Sequence, residues 1–175
     1  MVPSPPTDSQ SGRSQRQSGD QYGFSETKNY LSALLEPLVP QRIAVPSLGV
    51  SVKTDKTTYD LGEPVIIDIV FKNRLPVPIS IETPTARLWG WSVDGELAAS
   101  DESEYRRNHP NTFSFRAGET KRIQRIWDGQ FKRNKRNGDP TKWIPAPSGE
   151  YEITAFVDAR YGRSRPSAST TIILE

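Results

Sequence analysis

The sequence predicts an all-β protein, an immunoglobulin-like sandwich of about seven to eight short strands. Three observations predict it. Runs of period-2 alternation recur along the chain, most clearly at 65–72 and 150–158. Each run is bounded by Gly, Pro, Asn or Asp in turn-forming order, and no strand–helix alternation of an α/β fold appears between them.

The segment 59–83 organises the rest. Val65, Ile67, Ile69 and Phe71 share one face of a strand, and Val77, Ile79 and Ile81 repeat the pattern after Asn73-Arg74-Leu75-Pro76, as a second strand able to pair with the first. Before it, 49–54 reads as a strand with Val50 and Val52 on one face, and 55–62 as the connection. After it, 87–92 places Trp89 and Trp91 on one face, where two indoles fill a large core volume. Residues 112–116 alternate Phe113 and Phe115. The strand expected at 119–127 needs a bulge to reconcile Ile123, Ile126 and Trp127. Residues 128–140 are polar and read as a loop, with 143–149 as an edge-like approach to the next strand. Tyr151, Ile153, Ala155 and Val157 face one way, and 168–174 is the last strand. A Tyr just past Pro147-Ser148-Gly149 matches a tyrosine corner, in which the phenol ties a crossover loop to the strand that follows.

Ahead of the sandwich, assigned to 48–175, residues 1–23 hold Pro, Ser, Gln, Gly and Arg with little to bury and read as a disordered polar tail. Residues 24–47 read as an amphipathic helix, with Leu31, Leu34, Leu35 and Leu38 at helical spacing, followed by a Pro-rich linker from Val39 to Ser47. The helix either caps one open end of the sandwich or docks on another chain.

Cysteine is absent from the 175 residues, which excludes disulfides, thiolate metal sites and cysteine nucleophiles. His109, the single histidine, lies in Asn-His-Pro with no catalytic signature nearby, so no catalytic residue, metal or cofactor is expected. The carboxylates Asp94, Glu96, Asp101, Glu102 and Glu104 lack the spacing of a calcium loop and read as a solvated acidic stretch. No secretion signal and no membrane-length apolar run is visible, and a soluble, cytoplasmic protein is expected.

Charge is uneven. Net charge is +2, yet 116–143 alone holds nine Lys and Arg against three Asp and Glu. Lys121, Arg122, Arg125, Lys132, Arg133, Lys135 and Arg136 cluster there, with Phe131 and Trp143 close by. Cations with aromatic rings are what a nucleic-acid surface uses, for phosphates and for stacking. The same cations could instead balance the acidic stretch within the molecule, or simply solvate a loop.

Several residues together resemble the intracellular proteinase inhibitor family, the BsuPI-type domain. They are Tyr59, Gly62-Glu63-Pro64-Val65, Phe71-Lys72-Asn73, Trp89-Gly90-Trp91-Ser92, Ala117-Gly118-Glu119, Ile126-Trp127 and Ser148-Gly149-Glu150-Tyr151. The resemblance spans about 49–158 and implies a sandwich fold and inhibition of a protease by occlusion. No reactive-site residue carries over. The function expected is therefore non-catalytic protein binding through loops or an edge strand, with a protease among the candidate partners. One alternative is an RNA- or ribosome-associated module using 121–136, and another is a structural subunit of a larger assembly.

Overall fold

The computed structural model describes residues 39–99, 109–133, 142–159 and 165–175; the helix expected at 24–38, and the tail before it, lie outside them. In chain order the elements are α1 (Gln41–Ser47), β1 (Leu48–Thr54), β2 (Thr58–Tyr59), β3 (Val65–Asn73), β4 (Ile79–Thr83), β5 (Trp89–Val93) and β6 (Glu96–Leu97). They continue with β7 (Asn111–Phe115), β8 (Thr120–Trp127), β9 (Gln130–Arg133), β10 (Lys142–Pro145), β11 (Gly149–Val157) and β12 (Ser167–Leu174). One sheet has the order β1-β3-β8 and the facing sheet β2-β12-β11-β5-β6, with two further ladders, β4-β7 and β9-β10. The protein is an immunoglobulin-like β-sandwich.

Alternation explains the layers. Along β3 the apolar set Val65, Ile67, Ile69 and Phe71 is buried, while Asp68 and Lys72 point to solvent. Tyr151, Ile153, Ala155 and Val157 of β11 face them as predicted. The two layers meet through aromatic contacts, Phe71 against Trp89 at 5.8 Å and Trp127 against Tyr151 at 5.6 Å between centroids. Each such side chain contributes about 1.5–3 kcal/mol through burial. Trp91 is only half-buried, so the tryptophan pair divides between the core and its margin.

Four sequence expectations change. β4 does not pair with β3; it pairs with β7, and β3 lies between β1 and β8. The buried Asn73 is the reason, because its Nδ2 donates to both the Val77 and Arg116 carbonyls and turns the chain away from a hairpin. β8 needs no bulge, since its register with β3 runs unbroken from Val65↔Trp127 to Lys72↔Thr120; Ile126 simply faces outward, 64% exposed. The segment read as a linker carries α1, which ends one residue after Pro46. Its Gln41 amide donates to the Ser80 carbonyl at 2.6 Å and accepts the Glu82 N–H at 3.2 Å, covering the free edge of β4 as a strand would. Finally, the polar stretch read as a loop contains β9, and two-residue strands β2 and β6 add to the predicted set.

The residues that carried the family resemblance have structural tasks. The buried Tyr59 phenol donates to Asp55 Oδ1 at 2.7 Å and accepts the Lys56 N–H at 2.9 Å. Glu63 pairs with Lys56 and accepts the Asp60 N–H, closing the turn before β3. The hydrogen bond from Tyr59 holds the Asp55 carboxyl below its usual pKa, and the bond from Lys56 does the same for Glu63.

Two predictions arise here. The Tyr151 phenol donates to the Pro147 carbonyl at 2.8 Å, the tyrosine-corner bond expected from the sequence. Burial, then Asp94, raises its pKa, which keeps it a neutral donor. Tyr151→Phe is expected to lower unfolding free energy by about 1 kcal/mol, read from urea midpoints at unchanged slope. Gly90 lies beneath the Phe156 ring, and a Cβ there would sit 2.7 Å from Phe156 Cζ. Arg165 stacks 4.4 Å above the same ring and resists its lifting. Gly90→Ala is expected to cost about 1–3 kcal/mol by the same measurement.

Candidate functional site

The basic and aromatic residues expected to form one surface divide among three places. Lys121 and Arg125 are on the inward face of β8, opposite Phe71 and Ile67 of β3. There Lys121 Nζ lies 5.5 Å from the Phe113 ring and 5.2 Å from the Phe115 ring, and the Arg125 guanidinium is 5.1 Å from the Trp89 ring. Both cations therefore cap the protein's own aromatic core with their charge toward its rim. Arg122 is on the opposite, outward face of the same strand. Phe131 is buried in a cluster with Trp127 at 5.6 Å and Tyr151 at 6.1 Å, so it is an anchor rather than a stacking platform. Arg133 packs on Phe131 and holds Glu96 through its two terminal guanidinium nitrogens, Nη2 to Oε1 at 2.9 Å. One basic residue thus does balance the acidic stretch. Lys135 and Arg136 lie outside the described residues.

Lys132, Arg133 and Trp143 belong to the β9–β10 hairpin. Its register pairs Lys142↔Arg133, Trp143↔Lys132, Ile144↔Phe131 and Pro145↔Gln130. The Lys132 N–H donates away from β10, to the Ala99 carbonyl at 2.8 Å, and the Ala146 N–H donates to the Gly129 carbonyl at 2.7 Å. In an antiparallel ladder hydrogen-bonded and non-hydrogen-bonded pairs alternate, so Trp143–Lys132 is a non-bonded pair. The N–H and C=O of Trp143 therefore point outward from the hairpin. So does the Pro145 carbonyl, whose residue has no N–H to offer. Among the described residues no strand pairs with that side of β10.

Side chains on this edge are exposed throughout. Opposed residues share a face, so Ile144 lies on the Phe131 side and Trp143 on the Lys132 side. Trp143 is 56% exposed and Ile144 47%, one apolar group on each face of a single free edge. The eight residues of β9 and β10 include Lys132, Arg133 and Lys142 and no carboxylate. Among the described residues no group of three or more His, Cys, Asp or Glu is placed to hold a metal, and His109 is exposed. No helix among them is long and apolar enough to cross a membrane.

A model of a protein family of unknown function, DUF7974, matches residues 36–175, covering every element described above. The chain belongs to that family. No curated protein matches this DUF7974 chain. Among solved structures, the CARDB domain of a Pyrococcus furiosus protein, in complex with di-metal ions, is similar at 16% identity and a TM-score of 0.44, over 73% of this chain and 91% of that one. Spo0M, a sporulation control protein from Bacillus subtilis, is similar at 17% identity and 0.43, over 74% of this chain and 49% of its own. AlkC, an alkylpurine DNA glycosylase from Pseudomonas fluorescens bound to DNA containing an abasic site analog, gives 14% and 0.42, over 74% and 30%.

Sequence reasoning included Trp143 among the site residues of this DUF7974 chain, missed Lys142 and Ile144, and named Glu96 only as part of the acidic stretch that the cations could balance. The signal for Lys142 and Ile144 was present. Lys142-Trp143-Ile144-Pro145 is a short run with a Pro at its end, which is the pattern of an edge strand. Which cation Glu96 would meet had no such signal, since its pairing with Arg133 spans 37 residues.

Proposed function

We propose that this chain is a non-catalytic protein-binding module that engages its partner through the β9–β10 hairpin. The mechanism is occlusion, as the resemblance to intracellular proteinase inhibitors implies. A hairpin edge fills or pairs with a partner's cleft, and no bond is made or broken. One observation carries the reading: Trp143 and Ile144 are both exposed on one strand whose outer edge has no paired strand among the described residues. Tryptophan is enriched at energetic hot spots of interfaces, and the other exposed large apolar residues, such as Leu61, Ile126 and Ile173, are scattered on separate elements. The inward stacking of Lys121 and Arg125 favours this reading over an RNA-binding one, which would use those cations for phosphates.

The test is affinity capture from a lysate of the source cells, with nuclease present, by the intact chain and by Trp143→Ala side by side. A defined protein should be retained by the wild type and reduced at least ~10-fold by the variant, whose thermal midpoint stays within a few degrees because the ring is exposed. Retention that disappears on nuclease treatment would overturn the reading in favour of nucleic acid. A protease among the retained proteins is then assayed directly for inhibition.

A further inference from the structure

We infer that Arg125 closes the outer edge of β8 against a second copy of this chain, whose own β8 would otherwise pair with it strand to strand. The inference stands apart from the protein-binding reading and concerns a different strand. β8 is the last strand of the β1-β3-β8 sheet, and among the described residues no strand pairs with its outer side. The Asn73 N–H donates to the Glu119 carbonyl, which makes that pair hydrogen-bonded and, by alternation along the register, Asp68–Gln124 a non-bonded one. The N–H and C=O of Arg122, Gln124 and Ile126 therefore point away from β3. Such a row is a template for edge-to-edge pairing.

An antiparallel strand can pair with its own copy about a two-fold axis. Centred on Gln124, that pairing sets each Gln124 opposite its copy and each Arg122 opposite an Ile126, so every outward N–H and C=O of these residues is matched. The backbone of β8 is thus self-complementary, and what opposes the pairing is a side chain. Arg125 Nη1 donates to the Gln124 carbonyl at 3.1 Å, taking the acceptor at the centre of the row. Its guanidinium is held there against the Trp89 ring, 5.1 Å from the centroid. In the paired arrangement each Arg125 would lie opposite an Ile123 and diagonal to the other Arg125, at about 7–8 Å between Cα atoms, and the two cations repel. One residue withdraws the bond and adds the charge. An edge so closed can carry Ile126, 64% exposed, without becoming the seam of a dimer.

The experiment compares the full wild-type chain with Arg125→Met by sedimentation velocity over a concentration series. Methionine keeps an unbranched side chain against the indole and removes both the charge and the donor. The wild type is expected to show no association through β8, and Arg125→Met to self-associate ~10-fold or more tightly. Adding Gln124→Pro should reverse that gain, because it deletes the central outward N–H, which the ladder with β3 does not use. Arg125→Lys, which keeps the cation, should associate less than Arg125→Met. A wild type that already dimerises and is made monomeric by Gln124→Pro overturns the inference. So does a folded Arg125→Met that associates no more than the wild type, in which case Arg125 only packs on Trp89. A gain in association that survives Gln124→Pro also overturns it, since the seam then lies elsewhere. If Arg125→Met loses its cooperative thermal transition, Arg125→Gln, neutral and shorter, is read in the same way.

Discussion

Phe131→Ala is expected to cost about 3–5 kcal/mol of stability in the part of the molecule that carries the docking edge, and to abolish partner binding. Phe131 is only 8% exposed, and its ring fills the space between Trp127 and Tyr151, where β9 leaves the body of the sandwich. Other ties of the hairpin include the Lys132–Ala99 and Ala146–Gly129 backbone bonds, the Trp127 indole N–H to the Gln130 carbonyl, and the Arg133–Glu96 pair. A partly exposed ion pair contributes about 0–1 kcal/mol, too little to replace a buried ring. Removing the ring also takes away the surface on which Arg133 stacks, so the pair loosens with it. Hydrogen exchange should then accelerate across 130–133 and 142–145 more than in β3 or β11, because the hairpin opens before the sheets do. Trp143→Ala is the contrast: it should lose binding and keep stability within about 0.5 kcal/mol. If Phe131→Ala instead retains both stability and binding, the hairpin is not seated by this ring.

Phe113→Ala should be as costly, about 3–5 kcal/mol by urea unfolding, for a different reason. Phe113 belongs to the β4–β7 ladder, which has no backbone pairing with either large sheet. It joins that ladder to the core through an edge-on contact with Phe71 at 5.5 Å, and it packs at 4.5 Å against Phe115 of its own strand. Lys121 lies across the same rings, so truncation leaves a half-buried ammonium with part of its favourable surface gone. The loss should therefore exceed that of Tyr151→Phe severalfold, and it should leave partner binding at the β9–β10 hairpin unchanged in the folded fraction.

How much of this was legible in the sequence depended on the range of the interaction. Strands β3, β8, β11 and β12 were readable because alternation is local and each buries one face. The tyrosine corner was readable because it spans four residues, from Pro147 to Tyr151. Partnerships were harder. β4 looked like the hairpin mate of β3 until the Asn73 side chain is seen to hold the chain in another course, and one of its two bonds reaches 43 residues away. β9 was hidden because Gln130, Lys132 and Arg133 look like a loop; only Phe131 faces inward, and its partners Trp127 and Tyr151 come from two different strands.

The candidate site was legible in its composition and not in its orientation. Seven cations in one stretch suggested a single surface, but strand geometry sends Lys121 and Arg125 to one side and Arg122 to the other. That inward direction could have been read from the pattern itself. Lys121, Ile123, Arg125 and Trp127 share a face by period 2, and a strand with Ile123 and Trp127 inward brings its cations in with them. What the sequence could not supply was the register of β9 with β10, from which the outward direction of the Trp143 N–H follows.

Amide hydrogen exchange of the full chain, resolved by residue, with and without a saturating amount of the captured partner protein tests the central claim most directly. Engagement of the β10 edge predicts that the Trp143 amide, which points outward in the free protein, gains protection on binding. The Ile144 amide, already directed toward β9, should change little. Partner bound with the Trp143 amide still exchanging at its free rate would contradict the account.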